Sequence, residues 1–229
     1  MERLSVPPPS DVPAWTAIVL AGGQSRRMGH DKAVITLGDE PLLRRVVRGL
    51  LAITNEVVVV GRVERSAATL AGLPATMVAD RWPGRGPLAG LASALSVVTR
   101  SVAVVVGCDM PALTPALLHL LAKTCLDAEV AVPRITGRIA PLPLAFQTRI
   151  GPAIERLLAG PDDPPLQALA RIAQTRLIEE TVVRSVDPDL RSFLNINTPA
   201  DLARAVELMT SERHGSGRSA DRSTISGGW

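Results

Sequence analysis

The stretch AIVLAGGQSRRMGHDK (residues 17–32) opens as an unbroken apolar run and closes as a loop of glycines and cations. Ala17–Ala21 predicts a strand without polar alternation, the kind covered on both faces in a parallel sheet. Gly22-Gly23 then stands where such a sheet keeps its ligand crevice, outside the carboxyl end of a strand. Adjacent glycines let the backbone come close to a ligand and aim amide groups at phosphate oxygens. Arg26, Arg27 and Lys32 add charge enough for a polyphosphate. The chain holds 25 basic residues, yet its only lysines are Lys32 and Lys123, so a compact point charge replaces the usual planar fork in this loop. Neither GxxxxGK[ST] nor GxGxxG fits the spacing. A strand-to-helix turn with solvated charges is the competing reading of a lone glycine pair.

Outward from this loop, short apolar runs alternate with amphipathic ones. Strands are predicted at 17–21, 56–60, 76–79, 102–107, 129–132 and 142–147. Helices are predicted at 41–51, 65–71, 87–99, 115–125, 150–158, 165–173 and 199–209. Thr114-Pro115 supplies a cap hydroxyl before a proline at the first helical position, and Thr198-Pro199-Ala200-Asp201 reads as a capping box. The alternation predicts an α/β fold of three layers, a mostly parallel central sheet with helices on both faces. Residues 1–14, with four prolines, read as a flexible lead-in, residues 15–210 as one domain, and the Ser/Gly/Arg-rich 211–229 as a disordered tail.

Composition narrows the partners. Net charge is +3 and aromatics are 2% of the 229 residues, which leaves few stacking platforms for nucleic acid. No apolar run approaches the ~20 residues that span a bilayer, and the first ten residues lack the basic-then-apolar order of a signal peptide. Cys108 and Cys125 fit free thiols in a reducing cytoplasm.

Three further stretches carry chemistry. SVAVVVGCDMPALTP (101–115) runs from a buried strand into Asp109, and Thr114 already serves the following helix as its cap. A carboxylate placed so is a candidate ligand for Mg²⁺, which binds through one or two carboxylates plus phosphate oxygens and water. VADRWPGRGPLAGLASAL (78–95) ends an apolar run at Asp80 and surrounds Pro87 with Gly84, Gly86 and Gly90, a turn able to offer backbone groups to a nucleobase edge or simply to start a helix. FLNINTPADL (193–202) sets Asn195 and Asn197 on one face of an extended segment, as paired donors and acceptors for a polar heterocycle or as local caps.

Taken in order, LAGGQSRRMGHDK (20–32), GPLAGL (86–91), CDMP (108–111) and NINTP (195–199) resemble the molybdenum cofactor guanylyltransferases, within the nucleotide-diphospho-sugar-transferase-like nucleotidyltransferases. The resemblance spans residues 17 to about 205 and implies a Rossmann-like nucleotidyltransferase fold. It implies transfer of GMP from GTP to molybdenum-molybdopterin in the cytoplasm, with Mg²⁺ and with transient contact to other cofactor-assembly proteins or molybdoenzymes. Leu20, Ala21, Gly22, Gly23 and Lys32 would bind the nucleotide, Arg27 would face its phosphates, and Asp80 with Gly86, Pro87, Leu88 and Gly90 would hold the guanosine. Asp109 would bind the metal, and Asn195 and Asn197 would lie toward the acceptor. Two departures bear on base or acceptor choice: Gly61-Arg62 stands where relatives often carry Asn, and Ala140-Pro141 where they often carry His-Pro. The alternatives are a cytidylyl- or guanylyltransferase acting on molybdopterin or another phosphorylated small molecule, and a GTP-binding sensor without turnover. A nucleotide-sugar glycosyltransferase would be expected to show Asp-X-Asp where this chain has Asp109-Met110-Pro111.

Overall fold

The computed structural model describes residues 12–21 and 35–215. In chain order the strands and helices are β1 (Trp15–Leu20), the hairpin β2 (Thr36–Leu37) and β3 (Glu40–Pro41), α1 (Leu42–Leu51), β4 (Glu56–Gly61), α2 (Val63–Thr69), β5 (Thr76–Ala79), α3 (Pro87–Ala94), β6 (Val102–Gly107), α4 (Pro115–Thr124), β7 (Val130–Ile135), β8 (Arg138–Ile139), β9 (Leu144–Gln147), α5 (Gly151–Leu158), α6 (Leu169–Ile172), β10 (Thr175–Glu179), α7 (Glu180–Val186) and α8 (Pro199–Gly215). The main sheet has the order β10-β7-β9-β6-β1-β4-β5, with β8 paired to β7. β5, β4, β1 and β6 are parallel, and β9 is the reversed strand between β6 and β7. This is the mostly parallel α/β sheet that the alternating pattern predicts.

Strand period explains how one sheet supports two cores. Trp15, Ala17 and Val19 of β1 face a cluster built with α1, α4 and Val183 of α7. Ile18 and Leu20 face the other side, where α3, α5 and α6 pack. Both sets are buried, so the strand reads as a continuous apolar run although its side chains alternate. A smaller cluster of Leu37, Leu42, Ile196 and Ala205 ties the hairpin and α1 to α8 and the segment before it.

The edge where the parallel strands begin is stitched by side chains. Thr16 Oγ1 and Thr99 N each donate to Glu56 Oε1 at 2.8 Å, Thr99 Oγ1 donates to Glu56 Oε2, and Arg100 Nε lies 3.4 Å from the same carboxylate. Thr54 Oγ1 donates to the Trp15 carbonyl at 2.6 Å. Burial pushes the Glu56 pKa up, but the Thr99 and Thr16 hydrogen bonds and Arg100 outweigh it and hold the carboxyl below its ordinary 4.5.

Several sequence expectations shift. β1 spans Trp15–Leu20 rather than 17–21, because Trp15 and Thr16 pair with Val102 and Ala103 and lie buried. α3 stops at Ala94, and the stretch 165–173 divides into a 3-10 turn at Leu166–Ala168 and the four-residue α6. Thr114 occupies its cap position without a side-chain cap bond; its backbone N–H instead donates to Ser192 Oγ at 2.8 Å. α8 continues to Gly215 rather than ending at residue 209, so residues 211–215 of the expected tail are helical. The hairpin β2–β3, β10 and α7 were not expected; their runs are too short or too charged to show a period.

Candidate active site

The strand order reverses at β1. From β1 the chain moves outward to β4 and β5, then crosses back to lay β6 on the other side of β1. At such a switch point the connections leave in opposite directions and open a crevice at the carboxyl ends. Leu20 pairs in register with both Val60 and Gly107 at this edge. Ala21 N donates to Val60 O at 2.8 Å, and Cys108 N donates to Leu20 O at 3.2 Å, so the backbone ends of β1, β4 and β6 are drawn together. Gly61 follows from the same closeness. A Cβ there would lie 3.2 Å from the Ala21 backbone, tighter than ordinary contact. Gly22, Gly23, Arg26, Arg27 and Lys32, which follow Ala21 in the chain, lie outside the described residues.

Asp109 sits two residues beyond β6 and is half-buried. Its carboxylate folds back over Gly107, where a Cβ would collide with Asp109 Oδ1. Glycine at 107 thus leaves the room that the carboxylate occupies. Gly107 N approaches Met110 Sδ at 3.2 Å, and Met110 is buried, which fixes the turn beneath the acid. The Asp109 carbonyl accepts from Ile196 N at 2.9 Å. That bond brings NINTP beside CDMP, two stretches 87 residues apart.

Ile196 is fully buried, while Asn195 is exposed and Asn197 half-buried. The apolar residue between two carboxamides therefore works as a plug, and the carboxamides flank it. The predicted capping box is present in full. Asp201 N donates to Thr198 Oγ1 at 3.2 Å, and Asp201 Oδ2 accepts from Thr198 N, Thr198 Oγ1 and Asn197 N at 2.8–3.0 Å. The Asn197 backbone bond leads the effects that hold the Asp201 carboxyl below its ordinary 3.8. The box thereby fixes Asn197 as well as starting α8.

At the end of β5, Asp80 Oδ1 accepts from Trp82 N at 3.0 Å and closes a local turn. Arg81 N donates to Ser93 Oγ at 3.0 Å, a tie that sequence inspection missed because a helical serine carries no distinctive spacing. Gly86 and Pro87 are exposed at the start of α3. Leu88 and Gly90 are turned into the core instead: Leu88 is fully buried, and a Cβ at Gly90 would stand 3.4 Å from Leu20 Cδ2. Their spacing reports helix-on-sheet packing under the turn, and any ligand contact from Leu88 is left to its backbone.

Among the described residues no three His, Cys, Asp or Glu side chains converge as a metal cage. A cation at Asp109 would share that one carboxylate with phosphate oxygens and water, a donor set suited to a hard divalent ion. Neither cysteine is in a disulfide and both are buried, and burial pushes the Cys125 thiol up to about 12, so it is inert at neutral pH. No described helix is long and apolar enough to cross a membrane.

A doubly wound sheet with a carboxylate beyond the strand at its switch point is an α/β architecture with a ligand crevice at that edge. Residues 17–181 match the model of the MobA-like NTP transferase domain. The chain is 37% identical over 200 residues to a probable molybdenum cofactor guanylyltransferase of Natronomonas pharaonis, covering 85% of this chain and 98% of that one. It is 34% identical to the protein of the same name from Pelotomaculum thermopropionicum, over 87% and 96% of the two chains. Among solved structures, the molybdopterin-guanine dinucleotide biosynthesis protein A of Archaeoglobus fulgidus superposes with a TM-score of 0.74 at 29% identity, over 86% of this chain and 99% of that one. The chain belongs to the molybdenum cofactor guanylyltransferase family.

Proposed function

We propose that this protein transfers GMP from GTP to molybdenum-molybdopterin, releasing pyrophosphate and forming the guanine dinucleotide cofactor. The observation that supports the reading is the Ile196 N to Asp109 O bond, which ties the segment carrying Asn195 and Asn197 to the turn carrying the metal-candidate carboxylate. We assign Leu20, Ala21, Asp80, Gly86 and Pro87 to the nucleotide and the two asparagines to the acceptor.

The acceptor brings its own nucleophile, a terminal phosphate oxygen. It attacks the α-phosphorus of GTP, a new P–O bond forms there, and the bond to the bridging oxygen breaks as pyrophosphate leaves. Such a displacement calls for positioning and charge neutralisation rather than an activated side chain. Arg27 and Lys32 are assigned to the polyphosphate, and Asp109 would hold Mg²⁺. Bound there, the ion would neutralise charge on the reacting phosphates. Asp109 stands on a turn braced by Met110, and Asn195 and Asn197 are assigned to orienting the acceptor. We place the reaction in the cytoplasm, with transient handover to molybdoenzymes or other cofactor proteins.

The test is incubation with labelled GTP, Mg²⁺ and molybdopterin, following pyrophosphate and the guanine dinucleotide. Formation of both supports the reading; GTP binding without product would point to a sensor. Thermal shifts with GTP, CTP, ATP and UTP separate guanylyl from cytidylyl transfer, since a ligand that binds the native state raises Tm.

A further inference from the structure

Between the two exposed glycines of the GRGP turn lies an arginine whose head group is almost fully engaged. Arg85 Nε donates to Asp163 Oδ1 at 2.8 Å, and Nη1 donates to Leu158 O at 2.8 Å. Nη2 donates to Gly160 O at 3.1 Å and to Asp162 O at 2.8 Å. Four of the five guanidinium N–H groups therefore enter one segment, residues 158–163. Leu158 ends α5, where carbonyls lack helical partners and a cation is favoured. A lysine could not make this pattern, because an ammonium lacks the flat fork.

The backbone around Arg85 is equally constrained. Gly84 and Gly86 adopt φ of +90° and +82°, and Arg85 N donates to Trp82 O at 3.1 Å. No atom lies within 4 Å of a Cβ built at either glycine. Glycine is thus needed there for backbone conformation, and the space beside the turn stays open. A turn with two left-handed residues and an open face has many alternatives. The Arg85 fork supplies the long-range tie that selects one of them.

We infer that Arg85 is a positioning residue for nucleobase selection, holding the Gly84–Gly86 turn in register with the crevice by clamping it to residues 158–163. It touches no reacting atom. The inference rests on the assignment of this turn to the guanine. It also makes the 158–163 segment part of the specificity apparatus, although that segment lies far along the chain from every motif.

The test compares wild-type, Arg85→Ala and Arg85→Gln full-length proteins by titration with GTP and CTP and by steady-state turnover. In Arg85→Ala the GTP KM is expected to rise about tenfold and the GTP-over-CTP preference to fall by a similar factor, with kcat at saturating GTP within about threefold of wild type. A cap that only stabilised α5 would lower Tm and leave the base preference of the folded protein unchanged, and that result overturns the inference. Should Arg85→Ala fail to fold, Arg85→Gln keeps the stem and one amide donor, and an unaltered base preference there overturns it equally. A wild-type chain without GTP preference would instead overturn the guanylyl reading, so the two failures are distinct.

Discussion

The two edges of the central sheet are built differently. Where the parallel strands begin, Glu56, Thr16, Thr99 and Arg100 bind one another, and Thr54 caps the Trp15 carbonyl. Where they end, the ties at Ala21, Cys108 and Ile196 that join β1, β4, β6 and the NINTP segment run from backbone to backbone. Side chains at the first edge are consumed in holding strands together. At the second edge glycines at 61 and 107 allow close approach, and Asp109 and Asn195 are carried on segments joined by the Ile196 N to Asp109 O bond. A sheet can thus be locked at one end and chemically equipped at the other, because each strand has two ends with different neighbours.

Substitutions should separate these roles sharply. Asp109→Ala is expected to lower turnover about a hundredfold or more, with Tm little changed, since it removes the carboxylate assigned to the metal. Turnover near wild type would place the metal elsewhere. Lys32→Ala should cost roughly tenfold or more in kcat/KM, against little for Lys123→Ala, whose residue lies in the last turn of α4 and so toward the opposite edge. Equal effects would return the Gly-rich loop to a solvated turn.

Gly107→Ala is a finer probe. The atom in the way is the end of the Asp109 side chain, which can rotate aside, so the fold should survive while turnover drops about tenfold. A large fall in Tm would show that the backbone, not the carboxylate, needs the space. Glu56→Gln should do the reverse, costing about 2 kcal/mol of stability with kcat within twofold. Its pH dependence follows from linkage. The folded pKa of Glu56 is depressed, so its contribution is present above the unfolded value near 4.5 and is lost as pH falls through the lower folded value. Urea melts of Glu56→Gln and wild type should therefore converge below pH 4.5; a gap that persists in acid would assign the stabilisation to packing.

Much of this layout was legible in the chain. The runs at 17–21, 56–60 and 102–107 announced buried parallel strands, and the Thr198–Asp201 box was found as read. Thr114 misled because a threonine before Pro115 satisfies the cap rule, while Ser192, 78 residues away, engages its backbone N–H. The spacing GPLAGL read as one ligand-binding string, yet Leu88 and Gly90 point into the core. The helix turns its residues through 100° each, so a motif lying on a helix is shared between two environments. Arg85 left no signal at all, because three of its four partners are main-chain carbonyls, which every residue possesses.

By itself, then, the sequence determined the alternation of strands and helices, the local caps and the chemical kinds of group available, since these depend on neighbours within a few residues. Tertiary structure alone decided that Asp109 would meet Ile196, that Gly61 would press on Ala21, and that Arg85 would reach α5. Those contacts depend on strand order, and strand order is fixed only when both faces of the sheet are covered at once.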